Sequence, residues 1–136
     1  MARMLALLLL ATVVTACVVP AGAEVDTCGA EWRGIEAVIV QRGDAALEPV
    51  SADCIRQVDE RRIRIGFTMP GGPSCYRLAD YAVEESADAV SVALFVARVD
   101  DPAAGACAPE PRQVTTEIDL QAPVADRTLL DANGED

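Results

Sequence analysis

Histidine and lysine are both missing from this chain of 136 residues. Without histidine there is no Ser-His-Asp or Cys-His activation of a nucleophile and no imidazole metal ligand, which removes several common hydrolase and zinc-site designs together. All the basic residues are arginine, a bias that reads first as a GC-rich coding sequence and says nothing of mechanism. Aromatic residues are scarce too, with one Trp, two Tyr and two Phe, so the bulk of any core has to be aliphatic. Basic charge is outnumbered, 11 residues against 22 acidic ones, for a formal net charge of −11. Polyanion binding needs clustered cations that release counterions. The nearest cluster, Arg61, Arg62 and Arg64, lies among acids on one expected strand and reads as a solvated strand face, so nucleic acid is not an expected partner.

Long apolar runs are absent except at the start. Arg3 precedes an apolar stretch, Met4 to Val14, interrupted only by Thr12, which has the length of a signal h-region. It is too short for a membrane span of roughly 20 residues, and Pro20, Gly22, Glu24 and Asp26 stop it. Two cleavage sites follow. Val14-Thr15-Ala16-Cys17 resembles a bacterial lipobox, in which the cysteine carries a diacylglyceryl group, while Ala21-Gly22-Ala23 is an A-x-A site for ordinary signal peptidase. The lipobox is favoured, because a cysteine directly behind a small residue at the end of an h-region is seldom accidental. Residues 1–16 are then the signal, Cys17 is the lipidated first mature residue, and acyl chains hold the protein on the membrane. Cleavage after Ala23 would release it instead. Either way Arg3 is lost with no acid, and the formal charge moves from −11 to −12.

Five cysteines are present, and Cys17 belongs to the leader or to the lipid. The remaining Cys28, Cys54, Cys75 and Cys107, with no C-x-x-C spacing, imply two disulfides in an exported domain of this size. The favoured connectivity is Cys28–Cys54 with Cys75–Cys107. Its physical basis lies at the second pair: a hairpin folded about Ser86 brings Cys75 near Arg98, and the loop Asp100 to Ala106, with Pro102 and Gly105, can return Cys107 to that end.

From Thr27 onward the period is two. Ile63, Ile65, Phe67 and Met69 share one side of a strand, with Arg62, Arg64 and Thr68 on the other, and Pro70-Gly71-Gly72-Pro73 ends it. Cys75 to Glu84 and Ala89 to Val99 form a hairpin around a polar loop, Glu84 to Asp88; the second arm is apolar on both faces, as a central strand would be. Gln113 to Gln121 puts Val114, Thr116, Ile118 and Leu120 inward. Ile35 to Gln41, Ile55 to Val58 and Arg127 to Asp131 read as shorter strands. The expected fold is mainly β, a small antiparallel sandwich or curled sheet over residues 34–131, with 17–33 as tether and N-terminal extension and 132–136 as a frayed tail.

The stretch Gly71-Gly72-Pro73-Ser74-Cys75, the valine-alternating hairpin with its acidic turn, Cys107, the late strand Val114 to Leu120, and Ala122-Pro123-Val124-Ala125-Asp126-Arg127-Thr128 together resemble a domain found in small exported proteins and lipoproteins of high-GC Gram-positive bacteria, a family without an assigned function. In that pattern the closing segment is more often Pro-Leu-Gly-Asp-Arg, where this chain has Val124 and Ala125. The resemblance covers roughly Val50 to Asp131. It implies a β-rich fold and a Cys75–Cys107 bridge, and brings no activity.

Carboxylate pairs are the only catalytic raw material in quantity. Glu84-Glu85, Asp100-Asp101 and Asp59-Glu60 sit at expected turns, where neighbouring side chains diverge, and read as solvated turn residues. Asp131-Ala132-Asn133-Gly134-Glu135 resembles a fragment of a calcium loop without its full spacing, so no metal or other cofactor is expected. Arg127 reads as a holder of the last strand through backbone oxygens or an ion pair, and Trp32 as a cap on the core; both are also weak candidates for a contact with a ligand. The composite expectation is an exported, lipid-anchored envelope protein that works by contact and not by catalysis. The alternatives are a carboxylate-dependent hydrolase or lyase acting on cell-wall material, and a calcium-stabilised secreted module.

Overall fold

In the computed structural model, residues 28–99, 107 and 110–134 are described, and they build two β-sheets around one core. The first sheet, in spatial order, holds β1 (Glu36–Ala37), β7 (Arg112–Asp119), β4 (Arg62–Met69) and β3 (Ala52–Asp59). The second holds β2 (Leu47–Val50), β6 (Ala89–Arg98) and β5 (Tyr76–Glu85), with β8 (Thr128–Asp131) lying end to end with β2 along β6. Strand β4 alternates as expected. Ile63, Ile65, Phe67 and Met69 are fully buried and meet Leu78, Val90, Val92, Leu94 and Val96 from the facing sheet. This aliphatic core, with Phe67 its one fully buried ring, is what a chain poor in aromatics can build.

The sheets are mixed, not purely antiparallel: β1 runs parallel to β7, and β8 parallel to β6. Both are short strands that reach their sheet after a long connection, and only a hairpin obliges neighbours to be antiparallel. The hairpin itself forms as expected. Tyr76 lies opposite Arg98, the Val99 amide donates to the Cys75 carbonyl at 2.7 Å, and the bridges Cys28–Cys54 and Cys75–Cys107 are those present.

Three expectations need correction. The strand expected over Ile35 to Gln41 is laddered only at Glu36–Ala37, because the chain crosses there from one sheet to the other: the Val38 amide donates to Thr115 O at 2.9 Å and the Gln41 amide to Leu78 O at 2.8 Å. The described part of the expected tether belongs to the domain, since Cys28 is buried and bonded to Cys54, which is fully covered. Nor is the tail frayed at Asn133. Its Nδ2 donates to Val50 O and Leu94 O at 3.1 and 2.7 Å, its carbonyl accepts from Ser51 Oγ, and Asp131 Oδ2 accepts the Ala52 amide. These bonds brace the corner where the chain leaves β2 for β3. Strand β2 is not legible in the sequence because Pro49 argues against a strand interior, and it is tolerated here at a sheet edge.

Ala125 has φ of 45°, in the left-handed region, at the position where the resembled pattern more often has glycine. The substitution Ala125→Gly is expected to stabilise the domain by about 0.5–1 kcal/mol, as relief of the Cβ clash outweighs the added chain entropy. A raised midpoint in urea unfolding checks it; a lowered one would show that the turn tolerates alanine without strain.

Candidate functional site

Gly66, in the middle of β4, lies opposite Cys54 on one side and Thr115 on the other, on the outer face of the first sheet. A Cβ there would collide with the Trp32 ring and sit 2.7 Å from Cys54 Sγ. The missing side chain therefore makes a seat for the indole, which a 3-10 turn, Ala30–Trp32, delivers beside the Cys28–Cys54 bridge. Beyond it Gly34, at φ 79°, turns the chain into the strap Glu36–Gln41. Val38 and Val40 pack on the core from the strap, while Ile39 points away and is 82% exposed.

A groove of 760 Å³ follows this strap, from Trp32 and Arg64 on the outer face to Tyr81 and Arg42 at the β5 edge. Its charges are already partnered. Arg42 Nε donates to Asp80 Oδ1 at 3.0 Å with its guanidinium 5.8 Å from the Tyr81 ring centre, and Arg64 Nη2 lies 2.6 Å from Glu117 Oε1. The Tyr81 amide, then Arg42, holds the Asp80 carboxyl below its ordinary value. Among the described residues, Glu117 is the only carboxylate lining the groove. What the groove offers without breaking an ion pair is apolar and aromatic surface, together with the unpaired side of β1, the terminal strand of its sheet.

A scan of protein-family models and searches of curated proteins and of solved structures each find no match for this chain.

Of the two weak contact candidates, Trp32 lines the groove and Arg127 does not. Arg127 Nε and Nη2 donate to Pro123 O at 3.0 and 2.6 Å, Nη2 also to Ala122 O at 2.7 Å, and Nη1 to Glu85 Oε2 at 2.9 Å. Its fork is spent on the turn before β8. The same contact corrects the reading of Glu85 as a solvated loop residue. Glu85 closes β5, its side chain is 17% exposed, and it accepts the Gln121 and Ala122 amides as well. The Gln121 amide foremost, then Arg127, lowers its pKa against the opposing effect of burial.

Asp59 Oδ1 accepts the Arg61 amide within the β3–β4 turn. In the calcium-like segment the Asp131 oxygens accept the Ala52 and Asn133 amides, and among the described residues no group of three or more metal-binding side chains gathers. Asp100-Asp101 and the expected lipidation site Cys17 lie outside the described residues. Arg62 and Arg64 stand on the outer sheet face against Asp119 and Glu117, and the Asp119 hydrogen bond raises Arg62 above its ordinary value. Gly66, Asp80 and Asn133 carry no signal of their roles in the sequence. Nothing local distinguishes a glycine that seats a ring from one that weakens a strand.

Proposed function

We propose that this protein is a non-enzymatic interaction module acting outside the cytoplasm at the cell envelope, tethered there by lipid on Cys17, with the groove beside the Glu36–Gln41 strap as its contact surface. One observation carries the reading. The groove has apolar side chains to offer, Trp32 and Ile39 among them, next to an edge strand, whereas its single carboxylate is tied to Arg64. A general acid/base pair needs two groups free to exchange protons with a substrate.

The occupant that suits such a site is an extended segment of an envelope protein, adding main-chain hydrogen bonds along β1 and placing an apolar side chain near Ile39 and Trp32. The mature chain's formal charge, −12 once Arg3 leaves the −11 of the full sequence, favours a basic partner. Two disulfides fit an oxidising compartment, and the resemblance to small exported domains points the same way.

Binding of the purified protein to the envelope fraction of its own cells is expected to saturate. Ile39→Asp, at a position too exposed to disturb folding, should weaken that binding at least tenfold, or about 1.4 kcal/mol. Undiminished binding by this variant would reject the groove, and turnover of an envelope substrate that disappears in Glu117→Gln would reject the non-enzymatic reading. Cys17→Ser should abolish labelling by a fatty-acid probe, and labelling that persists would remove the anchor.

A further inference from the structure

On the side of β7 that faces away from β4, the backbone is bonded at both ends and open in the middle. Along a strand, alternate residues direct their N–H and C=O to the same side. The Leu120 amide donates to Arg61 O, so the even-numbered residues of β7 face β4 and the odd-numbered ones face outward. Thr115 O accepts the Val38 amide from the strap at 2.9 Å. Gln121, just beyond the strand and on the same side, gives its amide to Glu85 Oε1 at 2.7 Å. Glu117 and Asp119 lie between these two points, because β1 ends at Ala37 and the chain then turns off towards β5. Among the described residues, nothing bonds to their outward amides and carbonyls. Both residues are exposed, and the groove reaches Glu117.

We propose that this gap receives a short extended segment of a basic partner, with a basic, an apolar and a second basic residue in succession, lying on β7 in line with β1. Run antiparallel, the pairing more stable per residue, the segment exchanges both main-chain bonds with Glu117 and again with Asp119 through the two residues opposite them. Side chains directly opposite share one face of a sheet, so these two residues stand beside the carboxylates. Each carboxylate has an oxygen to offer them. Arg64 Nε and Nη2 both donate to Glu117 Oε1, which leaves Oε2 at 4.0 Å from Arg62 Nη1, and Arg62 Nε donates to Asp119 Oδ1. A cation opposite each acid completes a row of arginine, carboxylate and partner cation across the sheet without breaking either existing pair. The residue between the two cations falls on the core side, the side of the buried Ile118, and is apolar for that reason.

Charge selects in the same sense. A like charge opposite Glu117 or Asp119 is destabilising, and a chain with 22 acidic residues against 11 basic ones repels an acidic segment before contact. Length is set by the fold, since the strap above and the Glu85 contact below confine the ladder to the stretch from Glu117 to Asp119 and a longer partner strand has to bend away at both ends.

The inference rests on the groove as a contact surface and adds the main-chain edge and the pattern a partner must carry. Its probe is a labelled peptide, Ser-Val-Arg-Val-Arg-Val-Ser, titrated with the full chain carrying Cys17→Ser and followed by fluorescence anisotropy. The peptide should bind more than about tenfold tighter than the counterpart with Glu in place of both Arg. Methylating the two arginine amides, which face β7, should weaken it more than about tenfold, whereas methylating the central valine amide, which faces away, should change it less than about threefold. Asp119→Asn, at a side chain 81% exposed, should weaken binding severalfold while the protein melts as the parent does. No binding of the arginine peptide, equal binding of the glutamate peptide, or equal loss from the two methylations would overturn the proposal. Envelope binding still lost in Ile39→Asp would in that case keep the groove as a contact surface and remove only this edge.

Discussion

Loss of the Cys28–Cys54 bridge is expected to remove about 3.5 kcal/mol of stability, a large part of the 5–15 kcal/mol that a domain commonly possesses. The bridge closes a separation of 26 residues, and cutting it frees the unfolded chain to explore far more conformations. A second loss follows in the folded state. Cys54 Sγ and the Trp32 ring share the seat over Gly66, so without the bridge the 3-10 turn loses its anchor and the indole its fixed approach. With a urea slope of about 1–1.5 kcal/mol/M for a domain of this size, the paired substitution Cys28→Ala and Cys54→Ala should lower the unfolding midpoint by about 2.3–3.5 M. An unchanged midpoint would mean that the bridge closes no loop of consequence. Breaking Cys75–Cys107, with a separation of 32, should cost a similar amount, and a reductant that opens both should leave the chain unfolded at 37 °C.

Arg127→Ala should cost about 3 kcal/mol. The Arg127 and Glu85 side chains are only 8% and 17% exposed, and removal of one member of such a pair strands the other in a place it was not meant to occupy alone. The arginine also satisfies the Ala122 and Pro123 carbonyls, so the turn between β7 and β8 loses its brace together with the ion pair. Arg127→Lys keeps the charge but not the planar fork, and should recover less than half of the loss. The pair carries a pH signature. Because the Gln121 amide and Arg127 favour ionised Glu85, its folded pKa lies below the ordinary glutamate value of 4.5. Its contribution is therefore present in full above that value and is lost as pH falls through the lower, folded one. Stability measured from pH 7 to pH 3 should decline in the parent protein, and decline less steeply in Glu85→Gln. Parallel curves for the two would show that Glu85 does not carry this share of the acid sensitivity.

Much of the architecture is legible in the residues themselves. The period of two in β4 and β7, the Gly-Pro turn after Met69 and the apolar β6 declare strands through local chemistry alone, and the hairpin about Ser86 places Cys75 where Cys107 reaches it. The failures share one cause. Glu85 reads as a loop carboxylate because its partners, Gln121, Ala122 and Arg127, are about forty residues away. Asn133 reads as part of a loose tail, its partners Val50 and Leu94 lying 83 and 39 residues back along the chain. The stretch Ile35 to Gln41 reads as one strand because nothing in it reveals that its first half bonds to β7 and its end to β5.

Composition and periodicity are enough to establish the β character of the chain, its reliance on sulfur bridges and the exclusion of histidine chemistry, since each depends on which residues are present and on their spacing along a strand. Which strand neighbours which, that Gly66 seats Trp32, and that Glu85 is held by Arg127 were decided only by tertiary structure. A sequence states what each side chain is; whether its face meets a core, a counterion or open solvent depends on residues brought beside it from elsewhere in the chain.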